Sequence, residues 1–232
     1  MARPFSNSEL ERLGKRLVAA DQPTAADIRQ LQVLLAAHDP VLERAVKVVA
    51  SAVETLPASR VKNTGTILEK LRRNGGHTLK SMQDLSGMRL VIDAGRAEQD
   101  RVAEIVRSAF DDVQRAPRIK DRRADPEQGY RAVHVVIYPD GYPIEVQIRT
   151  RLQHMWAEWF ERLADQYGRG IRYGEAPVTG GVTAQRAIDS MIRLSDQIAE
   201  LEGSGGPPPL SVVALQLAQM VLQWLESRPG GG

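Results

Sequence analysis

The chain has 232 residues, 42% apolar and 26% charged, which suits one globular catalytic domain with helical additions and excludes a fibre or a wholly disordered chain. Net charge is only +2, so cation distribution matters more than the sum. Cysteine is absent, which excludes disulfides, thiolate nucleophiles and Cys-containing zinc sites. The first residues carry no apolar signal region and no stretch is apolar enough to cross a bilayer, so a cytoplasmic protein without a membrane partner is expected.

In chain order, residues 1–57 read as a helical region. Ser8-x-x-Glu11 and Thr24-x-x-Asp27 resemble capping boxes, and each precedes apolar residues at helical spacing. Leu31, Leu34 and Leu35 mark one face. After Pro40 a further stretch carries Leu42, Ala45, Val48, Val49 and Val53 and stops near Pro57. The period then changes: residues 88–92 read as a buried strand, 99–110 as a crossover helix, and 112–118 as a weaker strand. Residues 131–138 and 142–148 are two β-rich runs joined by the turn Pro139-Asp140-Gly141. Residues 151–167 return to a helix with an apolar stripe, 168–181 form a glycine-rich loop, and 183–201 form another helix. Residues 203–209 read as a linker, and 210–225 as an apolar helix that seals the core or mediates self-association. The expected fold is therefore α/β, a mixed sheet of about five strands flanked by helices.

Polar residues recur in five groups. Arg60-x-Lys62-x-x-x-Thr66-x-x-x-Lys70 puts Thr66 and Lys70 on one face of a helix with Thr64 as candidate cap, where free N–H groups and added cations suit a triphosphate. Asp84-x-x-Gly87-x-Arg89 sets a carboxylate at a strand entrance, a candidate Mg2+ ligand. Arg118, Lys120 and Asp121 follow, then Gly129-Tyr130-Arg131-x-x-His134. In the strand Glu145-Val146-Gln147-Ile148-Arg149, alternation presents carboxylate, amide and guanidinium on one face. Taken singly, the first group reads more readily as solvated helix charge and Asp84 as a turn cap, whereas the Glu145 strand face, one strand from Gly129-Tyr130-Arg131-x-x-His134, is the sharpest of the five.

Taken together and in this order, the five motifs resemble the synthetase domain of RelA/SpoT homologues, over about residues 58–168. The resemblance implies a nucleotidyltransferase-like synthetase domain that moves the β,γ-diphosphate of ATP onto a ribose 3′-hydroxyl. It also implies residue roles. Arg60 and Arg89 would sandwich adenine; Lys62, Thr66 and Lys70 would hold the phosphates; Asp84 and Glu145 would hold Mg2+, and Glu145 would accept the hydroxyl proton. Tyr130 would stack on the acceptor base, supported by His134, Gln147, Arg149, Lys120 and Arg118. His38-Asp39 is not the hydrolase metal motif of longer relatives, because four histidines in this chain cannot assemble that ligand set in order. The shortness of the chain makes it similar to single-domain alarmone synthetases.

One loop departs from the pattern. Relatives that make (p)ppGpp commonly carry Pro-Lys-x-x-Gly-Tyr, whereas this chain reads Pro126-Glu127-Gln128-Gly129-Tyr130, with an acid where a cation would meet the acceptor's 5′-phosphates. Arg122 and Arg123 add cations nearby, and Lys15 and Arg16 are further candidates. That arrangement favours a polyanion acceptor. It resembles the toxic branch of small alarmone synthetases, which pyrophosphorylates the 3′-terminal adenosine of tRNA, and which implies an antitoxin partner. GDP or GTP is the alternative acceptor, and a catalytically dead nucleotide- or RNA-binding module is the alternative of another class.

Overall fold

The computed structural model describes residues 3–19, 22–73, 78–111 and 115–203. The expected helix at 210–225, with its two alternative roles in core-sealing and self-association, lies outside them, as does the linker beyond Gly203. Elements run in the order α1 (Asn7–Ala19), α2 (Ala25–Val53), β1 (Ala58–Val61), α3 (Thr64–Arg72), β2 (Ser86–Ile92), α4 (Arg96–Ser108), β3 (Arg118–Asp121), β4 (Val133–Ile137), β5 (Ile144–Thr150), α5 (Arg151–Tyr167) and α6 (Gly181–Gly203), with short 3-10 turns at Pro139–Gly141 and Arg169–Tyr173. The five strands form one mixed sheet in the order β1-β2-β5-β4-β3. This is the expected α/β class.

Two compact units divide the chain. The first comprises the described residues up to Leu90 together with Val102–Lys120 and His134–Gln147; the second comprises Val91–Arg101, Asp121–Val133 and the described residues from Ile148 onward.

In the first unit, α1, α2 and α3 bury a leucine-rich core that includes Leu13, Leu17, Leu31, Leu34, Ile67, Leu71 and Leu79. Thr24 caps α2 as expected, accepting from the Asp27 N–H at 3.1 Å. The α1 cap falls two residues earlier than expected: Ser6 and Glu9, not Ser8 and Glu11, bond each other's backbone N–H groups. Helix α2 also runs unbroken through Pro40. The apolar stripe continues across the proline through Leu35, Val41, Leu42, Ala45 and Val49, all buried, so tertiary packing outweighs the one backbone hydrogen bond that proline removes.

Buried His38 ties α2 to the sheet: its Nδ1 lies 2.8 Å from Ser86 Oγ, and its ring meets Tyr142 edge-on at 5.0 Å. Burial, helped by nearby Arg3, pushes its pKa down to about 4, so it sits neutral in the core.

The second unit centres on α5 and α6, which bury Trp156, Phe160, Ile188, Met191, Leu194 and Ile198. Trp156 stacks on Phe160 at 4.8 Å and donates its indole N–H to the Met191 carbonyl at 2.6 Å. Thr150 and Gln153 form a capping box at the start of α5. Both donate to the buried Glu202 carboxylate of α6, a negative group near a helix N-terminus.

Candidate active site

Strand β1, which the sequence pattern does not reveal, pairs antiparallel with β2 in the register Ala58↔Arg89 and Arg60↔Gly87. Residues opposite one another share a face, so Arg60 and Arg89 lie diagonally on the same side of the sheet. Diagonal neighbours of this kind stand roughly 7–8 Å apart, which is about two van der Waals contacts and room for one flat ring between two guanidinium planes.

Helix α3 begins where Asn63, not Thr64, serves as cap. The Asn63 Oδ1 accepts from the Thr66 N–H at 2.8 Å and from the Thr66 hydroxyl at 3.0 Å. Ile67 and Leu71 turn into the core, which leaves Thr66 and Lys70 half-buried on the adjoining face.

Asp84 stands between two ammonium groups. Its Oδ2 accepts from Lys62 Nζ at 2.5 Å and from Lys70 Nζ at 2.8 Å, while its Oδ1 is buried without a hydrogen-bond partner. Burial on its own would push the carboxyl up, but Lys62 and Lys70 outweigh it and hold the group below the usual carboxylate range.

Glu145 on β5 is likewise ionised. Burial raises its pKa, but the His134 hydrogen bond and charge, the Gln147 amide and the Lys70 charge together bring it down to about 2. His134 Nδ1 lies 3.0 Å from Oε1, and Gln147 Nε2 donates to Oε2 at 3.0 Å. The expected alternation of β5 holds through this stretch, with Ile144, Val146 and Ile148 buried while Glu145 and Gln147 are half-buried. Arg149, by contrast, is buried.

Gly87 explains its own place in the motif. A Cβ there would come within 2.8 Å of the Glu145 carbonyl oxygen, so β2 and β5 approach this closely only with glycine at that position.

Lys120 and Arg118 are exposed on β3, at one edge of the sheet. Lys120 donates to Gln83 Oε1 at 2.7 Å, and Gln83 Nε2 in turn reaches the Tyr138 hydroxyl at 3.4 Å. No sequence signal marks Gln83, because its partners lie 37 and 55 residues away.

In the second unit, Arg149 Nη2 donates to the Tyr130 hydroxyl at 3.0 Å and its guanidinium carbon lies 5.0 Å from the ring centroid. The Tyr130 N–H donates to the Glu127 carbonyl at 2.9 Å, closing the turn that carries Glu127.

The family model described as the region found in RelA / SpoT proteins matches residues 59–165. The chain is also 38% identical over 205 residues to Uncharacterized protein Rv1366 of Mycobacterium tuberculosis, covering 85% of this chain and 74% of that protein. The chain belongs to the RelA/SpoT family. The same organism's Bifunctional (p)ppGpp synthase/hydrolase RelA is 35% identical over 158 residues, 62% of this chain and 20% of that protein. Among solved structures, the small alarmone synthetase 2 of Bacillus subtilis shares the fold with a TM-score of 0.55 at 18% identity, over 77% of this chain and 95% of that one. Small alarmone synthetase 1 of the same organism, bound to its product pppGpp, matches with a TM-score of 0.50 at 24% identity, over 76% and 97%. This chain is thus a RelA/SpoT-type pyrophosphokinase.

Not all the cations assigned to a polyanion in this RelA/SpoT synthetase are available for one. Arg123 donates to Asp121, to Asp100 at 2.5 Å and to Gln99 at 3.2 Å, all within the chain. Arg16 is engaged by Asp27 at 2.7 Å and Gln30 at 2.8 Å. Lys15 is 77% exposed and pairs with Glu11 at 3.3 Å, and Arg122 is exposed.

Proposed function

We propose that this chain transfers the β,γ-diphosphate of ATP to a ribose 3′-hydroxyl with release of AMP, and that its preferred acceptor is the 3′-terminal adenosine of tRNA. The observation that carries the transfer is the pair of ionised, mostly buried carboxylates, Asp84 and Glu145, with Lys70 bonded to the first and acting electrostatically on the second.

Mg2+ fits these residues. Asp84 Oδ1 is a buried acceptor without a donor, and one or two carboxylates are what magnesium takes from a protein at phosphate sites. Among the described residues no group of three or more His, Asp and Glu gathers, which suits an ion completed by phosphate and water. When bound, the ion would neutralise charge on the phosphate oxygens.

Adenine goes between Arg60 and Arg89, and Lys62, Thr66 and Lys70 hold the triphosphate. The acceptor's 3′-oxygen attacks the β-phosphorus, the bond from that phosphorus to the α,β-bridging oxygen breaks, and AMP leaves with that oxygen. Glu145 accepts the hydroxyl proton. A carboxylate with a pKa of about 2 is a weak base, so the proton moves late, once the forming P–O bond has acidified the hydroxyl. His134 and Gln147 hold the carboxylate in position for this, and Tyr130 with Arg149 receives the acceptor base.

The tRNA reading is supported by exposed Arg118, Lys120 and Arg122, and by exposed Glu127 in the turn before Tyr130, where a nucleotide's 5′-phosphates would meet an acid. Such transfer blocks aminoacylation and translation, so the chain would act as a toxin that needs a neutralising antitoxin. The second reading, GDP or GTP as acceptor of a (p)ppGpp synthetase, is favoured by the relatives named for that activity. ATP labelled at the γ-phosphate, mixed with deacylated tRNA, GDP and GTP in one reaction, separates them. Label on tRNA is expected; label on GDP or GTP alone would establish the second reading instead.

A further inference from the structure

Arg131 stands in the Gly-Tyr-Arg-x-x-His motif, yet the roles above leave it without work. Its side chain is 11% exposed, and its guanidinium is spent within the second unit. Nε donates to Ser195 Oγ at 3.1 Å, Nη2 to Asp196 at 2.7 Å, and Nη1 to the Arg123 carbonyl. A planar fork with these three acceptors around it is a strut, not a phosphate ligand.

Ser195 completes the strut. Its hydroxyl accepts from Arg131 and donates to the Gly129 carbonyl, the residue directly before Tyr130. Gly129 sits at φ +82°, and a Cβ there would fall 2.9 Å from the Trp156 ring and 3.2 Å from the Ser195 Cβ, so the backbone is pressed between α5 and α6. At the other end of the loop, Arg123, whose carbonyl Arg131 holds, is fixed by Asp121 and Asp100. Residues 121–131 are thereby pinned to α6 at Ser195 and Asp196, close to both ends.

We infer that Arg131 and Ser195 are positioning residues that set acceptor affinity by fixing the Gly129-Tyr130 backbone, and that neither touches substrate. The inference rests on Tyr130 being the acceptor's stacking surface. It makes α6 part of the acceptor machinery, although no residue of that helix belongs to the family motifs.

Steady-state kinetics of the full chain, with ATP and acceptor varied separately, test it in Ser195→Ala and Arg131→Lys, alongside hydrogen exchange of residues 121–131. Ser195→Ala removes both hydrogen bonds of the hydroxyl, and release of the Gly129 carbonyl is expected to raise the acceptor KM about five- to tenfold, with the ATP KM within about twofold of the unsubstituted chain. Arg131→Lys keeps the charge but loses the fork, and is expected to exceed that effect. Exchange should quicken in the loop and stay unchanged in α5. Should Arg131→Lys unfold, Ser195→Ala decides alone. An unshifted acceptor KM, or an ATP KM rising in step with it, overturns the inference while leaving the transferase intact. Failure of the unsubstituted chain to label any acceptor overturns the transferase reading and this inference with it.

Discussion

Glu145→Gln separates a catalytic carboxylate from a structural one. The fall of its pKa from 4.5 to about 2 corresponds to about 3 kcal/mol by which the fold prefers the ionised form. The group is mostly buried, and its partners His134 and Gln147 both present donors at 3.0 Å. Glutamine keeps one acceptor oxygen but sets an NH2 against one of those donors. The variant is therefore expected to lose up to about 3 kcal/mol at pH 7, measured by urea denaturation, and to remain folded. The sign of its pH dependence follows from the lowered pKa: the stabilisation is fully present above pH 4.5 and disappears as pH falls toward 2. The difference between the two proteins should accordingly narrow between pH 4.5 and 3. Turnover should fall by about 10²–10⁴-fold at pH 7, as loss of a general base does. Diphosphate transfer within threefold of the unsubstituted rate would remove Glu145 from the chemistry, and a stability difference that does not narrow with acid would refute the electrostatic origin assigned to it.

Other substitutions probe the frame around this group. Gly87→Ala forces a methyl toward the Glu145 carbonyl, 2.8 Å away, and is expected to cost about 1–3 kcal/mol by denaturant titration and to depress turnover far more than nucleotide binding. Asp84→Asn leaves Lys62 and Lys70 facing a neutral amide. Calorimetric titration without magnesium should find ATP bound at least as tightly as before, while magnesium-dependent turnover is lost. His38, with a pKa lowered to about 4, binds its proton only after unfolding over the range between pH 6.5 and 4. Acidification through that window therefore lowers stability by about 3 kcal/mol relative to its value above pH 6.5, and His38→Asn should flatten this part of the stability–pH curve.

What the sequence made legible follows from how local each signal is. Alternation along β5 needs only neighbouring residues, so Glu145 and Gln147 could be placed on one face directly, and Thr24-x-x-Asp27 identified the α2 cap for the same reason. Neighbouring cap-forming residues defeat such reading by one or two positions, as at Asn63-Thr64 and Ser6 to Ser8. Strand β1 escaped because four mostly exposed residues at a sheet edge carry no apolar alternation, and only the pairing with β2, about thirty residues on, makes them a strand. The weak strand expected at 112–118 is not found there: residues 112–114 lie outside the described ones, 115–117 form no strand, and β3 runs over Arg118–Asp121, again an exposed edge. Arg131 was visible as a motif residue, but its partner Ser195 lies 64 residues later in an ordinary helical pattern.

Charge counted along a sequence is not charge available to a ligand, and this bears directly on the acceptor. Four cations outside the motifs, Lys15, Arg16, Arg122 and Arg123, pointed toward a polyanion, yet Arg16 and Arg123 hold acids of their own chain at 2.7 and 2.5 Å. Releasing either for a phosphate would forfeit hydrogen bonds already made to a carboxylate, for little net gain. Arg118 and Lys120 on β3, with Arg122 after it, keep their charge exposed, since Lys120 bonds only the neutral Gln83 amide among the contacts described above. Three such contacts on a single strand correspond to a slope of roughly −2 in log affinity against log salt, instead of the roughly −4 expected if Lys15, Arg16 and Arg123 also took part, six cations in all. Binding of deacylated tRNA measured by filter retention between low and physiological salt distinguishes the two, and a slope near the steeper value would mean that the internal ion pairs of Arg16 or Arg123 open when RNA arrives.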